Sequence, residues 1–249
     1  MYVPVFNAMD DDDEARELVR AVGSAELITA GADGYPVATL LPVLWEGDRL
    51  VAHMARGNPH WRSVAPGTPA LAVVTAAQSY VSPGWYASKR EHGRVVPTWN
   101  YSSVHLTGRL TVHDDAEWIR GQVTRLADAH EEHRAAPWAV TDAPETFVTK
   151  QLRAIVGIEL VVERVEGKAK LSQNRSEADR AGVVDGLLAE PAGEAHAVAA
   201  AMAAARWSRS PTSSPPARER RPRSSTTARG RCSRRRDSRS SVTSARARR

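Results

Sequence analysis

Residues 26–44, ELITAGADGYPVATLLPVL, decide the fold. Two apolar runs, Glu26–Ala30 and Val37–Leu44, flank Ala32-Asp33-Gly34-Tyr35. An Asp-Gly pair between such runs is a strong short-range signal for a tight antiparallel hairpin. The pattern repeats at once, because Glu46-Gly47-Asp48 turns the chain into a third run, Arg49–Ala55. Connections this short join antiparallel strands only, since a parallel pair needs a long crossover.

Outward from this hairpin, Ala70–Thr75, Val104–Val112 and Ile155–Val165 supply further strands, the last finishing at Gly167. Helices are fewer. The acidic run Asp10–Asp13 favours the positive end of a helix with Leu18, Val19 and Val22 on one face, stopped by Gly23-Ser24. Asn58-Pro59 caps a short helix. From Asp114 a longer one carries Trp118, Ile119, Val123, Leu126 and Ala127 on its apolar side. Thr146–Leu152 reads as a short helix and Glu177–Ala205 as two, the last rich in alanine. The order predicts an α+β, mainly β domain built on an antiparallel barrel or sheet. Neither G-x-G-x-x-G nor a P-loop is present, so a doubly wound nucleotide fold is not expected.

The formal net charge of +5 conceals two unlike parts. Residues 206–249 hold fifteen of the 34 basic side chains and two of the 29 acids, so residues 1–205 are left with 19 basic and 27 acidic side chains. The chain therefore divides into a mildly acidic domain over 1–205 and an Arg/Ser/Pro-rich tail over 206–249. The tail lacks periodicity and enough apolar residues to fold alone, so disorder is expected there. A nucleic-acid arm, a solubilising tail and translation in a wrong frame after an indel compete for it, and the abrupt change of composition favours the frameshift. The one cysteine, Cys232, lies in the tail, which leaves no disulfide framework and no thiolate metal site. The N-terminus lacks a signal-peptide pattern and no apolar run approaches a membrane span, so a cytoplasmic location is expected.

Three stretches are dense in chemistry. Tyr80-Val81-Ser82-Pro83-Gly84-Trp85-Tyr86, a charged loop and Pro97-Thr98-Trp99-Asn100-Tyr101 place rigid rings and prolines together. That combination suits a wall for a planar ligand. His53-Met54-Ala55-Arg56-Gly57-Asn58-Pro59-His60-Trp61 sets an arginine and an asparagine where a strand gives way to a helix start, a favourable place for an anion. Gly167-Lys168-Ala169-Lys170-Leu171-Ser172-Gln173-Asn174-Arg175 interleaves cations with amide and hydroxyl groups. The first stretch holds too many rings and prolines for an ordinary loop, whereas the second alone also reads as an ordinary turn with a surface arginine and the third as a solvated helix start. His130-Glu131-Glu132-His133 is not the H-E-x-x-H metal pattern and reads as a solvated helix face. No Ser-His-Asp set emerges, and no catalytic residue is assigned.

Together the motifs resemble the FMN-binding negative transcriptional regulator family of the PaiB type. The resemblance rests on Met1-Tyr2-Val3-Pro4-x-Phe6 and the three stretches above, with Val96 preceding Pro97, and on Ile155-Val156-Gly157-Ile158-Glu159. It spans about residues 1–205. It implies an FMN-binding split β-barrel with peripheral helices, related in fold to pyridoxamine-phosphate oxidases, and a homodimer with FMN at the subunit interface. Residue by residue, it implies Arg56 with Asn58 and Lys170 with Gln173 for the FMN phosphate and ribityl chain. Ser82, Trp85, Thr98, Trp99 and Asn100 would line the isoalloxazine pocket, with the opposite subunit as a further source of that wall. The family name implies DNA as a partner, yet the sequence has no helix-turn-helix pattern and residues 1–205 are acidic. A flavin-dependent oxidoreductase is the alternative function. A haem-binding relative, resting on His53, His92 or His105 as axial ligands, is a further one.

Overall fold

In the computed structural model, residues 1–9 and 11–205 are described. Asp10 and the tail readings for residues 206–249 lie outside them. Six strands close into an antiparallel barrel: β1 (Ser24–Ala30), β2 (Pro36–Glu46), β3 (Arg49–Ala55), β4 (Thr68–Val81), β5 (Thr98–His113) and β6 (Ile155–Lys170). Their order around the barrel is β1-β2-β3-β6-β5-β4, returning to β1. The expected Asp33-Gly34 hairpin joins β1 to β2, pairing Ala30 with Pro36, and Asp33 Oδ1 accepts from the Tyr35 amide at 3.1 Å. The Gly47 turn joins β2 to β3, pairing Glu46 with Arg49.

Inward-facing Leu27, Leu41, Leu50, Met54, Val74, Leu106, Leu110 and Leu160 fill the barrel. Each buried aliphatic side chain of that size contributes roughly 1.5–3 kcal/mol by leaving water. Helix α1 (Asp12–Val22) packs Ala15 and Val19 onto this core, with Asp11 accepting from the Glu14 amide at its start. Where β5 crosses β6 the register shifts between Thr107 and Gly108. A Cβ at Gly108 would lie 1.9 Å from the Val161 carbonyl oxygen, so this bulge admits only glycine without a shift of backbone.

Three strands outrun the barrel. β3 covers β6 only from Ile155 to Val161, and β1 covers β4 only from Leu71 to Val73. Beyond those limits β4, β5 and β6 continue as a three-stranded extension, pairing Val81 with Thr98 and Tyr101 with Lys170. Its inner face carries a second core in which Val81, Ala169 and Leu171 meet helices α5 (Glu177–Ala189) and α6 (Glu194–Ala204) through Val183, Leu187, Val198 and Met202. The N-terminal segment runs beside the far half of β6. Ala8 bridges Lys168, the Met9 amide donates to Gly167 O at 3.2 Å, and the Met1 ammonium meets Glu166 at 2.6 Å. Helix α3 (Ala116–Glu131) and helix α4 (Glu145–Leu152) form a third cluster through Ile119, Val148 and Leu152.

Two expectations need correction. The strands predicted as Ala70–Thr75, Val104–Val112 and Ile155–Val165 run on to the longer bounds given above, because their added ends alternate rings and charges outside with buried residues inside, some apolar like Val81 and Ala169 and some polar like Asn100 and Ser102. The stretch read as a charged loop holds a short helix, α2 (Ser88–His92), ended by Gly93 in the left-handed region. No helix among the described residues is long and apolar enough to cross a membrane.

Candidate binding site

The residues singled out from sequence fall into two groups at opposite ends of β6. At the Lys170 end, period-two alternation on β5 turns Trp99 and Tyr101 outward and Asn100 and Ser102 inward. Pairing across the sheet sets Tyr80 beside Trp99 and Gln78 beside Tyr101 on the same outer face. Trp99 is 46 % exposed, donates Nε1–H to Gln78 Oε1 at 3.0 Å, and meets Tyr80 edge-on with ring centroids 6.4 Å apart. Lys170 Nζ donates to Thr98 Oγ1 and to the Trp99 carbonyl, both at 2.7 Å. Burial pushes this ammonium below the usual lysine range. Lys168 Nζ lies 5.3 Å from the Tyr101 ring centroid and 5.9 Å from that of Tyr2. The outer face is thus a ribbon of rings, half of them open to solvent, with two ammonium groups set among them.

The inner side of the same strands is occupied by packing. Asn100 is fully buried, and its amide and the Ser172 hydroxyl exchange hydrogen bonds at 3.0 and 3.2 Å. Ser172 holds a left-handed backbone, φ 68°, so that pair fixes a strained turn at the end of β6. Gln173 is engaged with backbone on both sides, accepting from the Leu171 amide at 2.7 Å and donating to the Ala169 carbonyl. Ser82 caps the turn at Pro83 by accepting from the Gly84 amide at 3.1 Å. Trp85 lies against α5, where a Cβ at Gly186 would come within 2.3 Å of its ring. Trp85, Asn100 and Gln173 therefore stand behind the outer face and Trp99 and Lys170 belong to it, while Thr98 pairs with the buried Val81 on the inner register and meets that face through its hydroxyl on Lys170 Nζ.

At the Ile155 end, the Arg56 guanidinium donates Nε–H to Arg153 O at 2.9 Å and Nη2–H to Ile155 O at 3.1 Å. It also grips both oxygens of Asp114, with Nη1 to Oδ2 at 3.1 Å. Asp114 in turn is held below the usual carboxylate range by that hydrogen bond. Asn58 caps the following turn by accepting from the His60 amide at 3.0 Å, and its amide donates to Thr39 Oγ1 at 3.4 Å. His60 is buried between two hydroxyls, Thr29 at 2.9 Å and Thr39 at 2.8 Å, and burial pushes its ring below the usual histidine range.

Within the chain the length of β6 separates Arg56 and Asn58 from Thr98, Trp99 and Lys170, at about 3.3 Å per residue along the strand. The two groups do not meet. Of the histidines weighed as axial ligands, His53 Nδ1 lies 3.0 Å from Gln122 Oε1, His92 Nδ1 accepts from the Arg94 amide at 3.0 Å, and His105 is half-buried beside Glu166. Residues that sequence reasoning left unassigned, Gln78, Tyr80, Tyr101 and Lys168, complete the outer face. The alternation Trp99/Tyr101 and Lys168/Lys170 was the signal that marks them. Asp114 carried no such signal, being 58 positions from Arg56. The donor set suits a planar aromatic ligand with an anionic tail: rings to stack on and cations at their margin.

A family model described as "Putative FMN-binding domain" matches residues 1–164. The chain is 30 % identical over 191 residues to the protease synthase and sporulation protein PAI 2 of Bacillus subtilis, covering 75 % of this chain and 89 % of that one. It is 37 % identical over 123 residues to an uncharacterized protein of Aspergillus fumigatus, covering 43 % of this chain and 47 % of the other. Among solved structures, an FAD and haem binding protein of Mycobacterium smegmatis superposes with a TM-score of 0.51 at 24 % identity, over 66 % of this chain and 73 % of that one. A conserved hypothetical protein of Mycobacterium tuberculosis superposes with a TM-score of 0.52 at 12 % identity, over 71 % and 95 %. The barrel with its peripheral helices is the split-barrel architecture that the motifs implied.

Proposed function

This chain belongs to the FMN-binding domain family, and from that membership we propose that it is an FMN-binding homodimer of the PaiB type, acting in transcriptional regulation as a sensor of flavin state. The observation that carries this reading is the outer face of the extension, where Tyr80, Trp99 and Tyr101 stand among Lys168 and Lys170. Trp99 would stack on the isoalloxazine, with Thr98 and Lys170 at its polar edge. A flavin held there supplies one- and two-electron transfer, and the chain's own groups bind it, orient it and keep water from one face.

The separation of the two residue groups supports a dimer. A two-fold contact presents the same patch from both copies. The outer face of β1, β2 and β4 offers such a patch, with Leu40 61 % exposed and Ile28, Leu71 and Val73 half-buried. Antiparallel packing through it would set the Arg56–Asn58 turn of one copy near the Trp99 face of the other. Residues 1–205 would be the flavin-binding unit, and any contact with DNA would fall to the dimer or to the tail.

The deciding experiment is an absorbance spectrum of the purified full chain together with an FMN fluorescence titration. Yellow protein, or quenching of added FMN with micromolar affinity or better, is expected. Colourless protein that leaves FMN fluorescence unchanged overturns the reading. Steady NAD(P)H turnover well above free FMN would move it to an oxidoreductase of the same fold.

A further inference from the structure

The chain is poor in lysine: only Lys89, Lys150, Lys168 and Lys170 stand among its 34 basic side chains. The distinction matters chemically, because a guanidinium stays protonated in proteins, whereas an ammonium can give up a proton and become a nucleophile. Lys89 and Lys150 are exposed on helices α2 and α4. Lys168 and Lys170 sit two positions apart on β6, so both lie on the outer, ring-bearing face of the extension.

The surroundings of Lys170 favour its neutral form. Its Nζ has two acceptors, Thr98 Oγ1 and the Trp99 carbonyl, each at 2.7 Å, and neither is charged. Among the described residues it has no third acceptor and no carboxylate partner. An ammonium carries three N–H donors and a neutral amine two. Losing one proton therefore costs no hydrogen bond within the chain, and the lone pair takes the position left open. Burial, chiefly, and the Lys168 charge hold this group below the usual lysine range against an opposing pull from Tyr101. Desolvation and a neighbouring cation are two ways in which a lysine becomes a nucleophile. Tyr101 is the cross-strand partner of Lys170, and Trp99, whose carbonyl holds Nζ, has a half-exposed ring on the same face.

We propose that Lys170 is a covalent site for aldehydes carried on a planar aromatic ring, which it binds reversibly as an imine. The ring lies on Trp99 or Tyr101 and brings its carbonyl to Nζ. The lone pair of the neutral amine attacks the carbonyl carbon, and the C–N bond forms as the carbonyl π bond opens onto oxygen. One N–H proton passes to that oxygen, with the Thr98 hydroxyl in place to relay it. The second follows as water leaves and the C=N bond closes. Amine and aldehyde thus give imine and water, with nothing oxidised or reduced. The site goes beyond the flavin reading and does not depend on it.

The test treats the full chain, as purified, with naphthaldehyde or propanal, traps imines with borohydride and maps the modified lysines by peptide mass spectrometry. Naphthaldehyde is expected to modify Lys170 about tenfold more than Lys89 or Lys150, the upper end of what stacking on a ring supplies. Propanal cannot stack, and should label Lys170 with a smaller excess and with a pH midpoint below that of Lys89 or Lys150. Equal labelling of the four lysines by naphthaldehyde overturns the proposal, as does a preference for Lys168. Thr98→Val removes the acceptor oxygen, and should lower Lys170 labelling about threefold, in line with one lost hydrogen bond, while leaving Lys89 unchanged. Undiminished labelling in the folded variant overturns the part given to Thr98. Should that variant fail to fold, the wild-type map decides. The absorbance spectrum of the same sample judges the flavin reading separately.

Discussion

The two ends of β6 carry cations of the same sign in opposite circumstances. At the Ile155 end, Arg56 faces a carboxylate and two carbonyls and is a joint between β3, β6 and the approach to α3. At the Lys170 end, the ammonium donates to a hydroxyl and a carbonyl, neither charged, beside rings that are half open to solvent. A cation neutralised from within the chain contributes first to the fold. A cation whose partners are neutral keeps its charge for a ligand. Motifs of equal density in the sequence thus differ by what tertiary structure has placed against them.

The largest effect that would sharpen this contrast lies just beneath the Lys170 face. Asn100→Ala removes a fully buried amide and leaves Ser172 without its partner in a strained turn. A loss of about 3 kcal/mol is expected in urea unfolding, and a loss below about 0.5 kcal/mol would show that the inner layer does not hold the outer one in place.

Next comes Trp99→Ala. Its half-exposed ring contributes little to packing, so unfolding stability should be almost unchanged while FMN affinity falls about tenfold. Arg56→Ala should behave in the reverse sense, lowering unfolding stability by about 1 kcal/mol through its lost carbonyl bonds. If Trp99→Ala destabilised the chain more than Arg56→Ala, the contrast between the ends would be broken.

The smallest effect is a dependence on pH at His60. Burial holds its folded pKa below the unfolded value, so the unfolded chain takes up the proton first. The contribution of this ring is full above about pH 6.5 and is lost as pH falls below it, by at most about 1.4 kcal/mol per unit. The urea midpoint should therefore drop between pH 7.5 and 5.5, and His60→Asn should remove part of that drop. An equal drop in the variant would assign the effect to other groups.

Much of the barrel was legible because its signals are local. The Asp33-Gly34 and Gly47 turns fix antiparallel neighbours within a few residues, and the apolar runs between them have one inward face. The extension was harder to see because the share of its inner face that β5 supplies is polar. Asn100 and Ser102 are buried there beside the apolar Val81 and Ala169, where an apolar run would be sought, and Trp99 is outside where a core residue would be. The site was legible as residue types but not as partners. Nothing in the order of residues tells that Asp114 closes on Arg56, or that α5 supplies a glycine face for Trp85. These are contacts between residues far apart in the chain, which local turn and alternation signals do not carry.

The bridge between Ala8 and Lys168 has a bearing on solubility. A closed barrel has no open sheet edge, but β6 regains one where β3 leaves it at Val161. Unpaired backbone groups along such an edge are a template for another chain to add to. By lying along that margin and bonding to Gly167, the first nine residues act as a selvedge, a finished border that keeps the weave from being extended by a stranger.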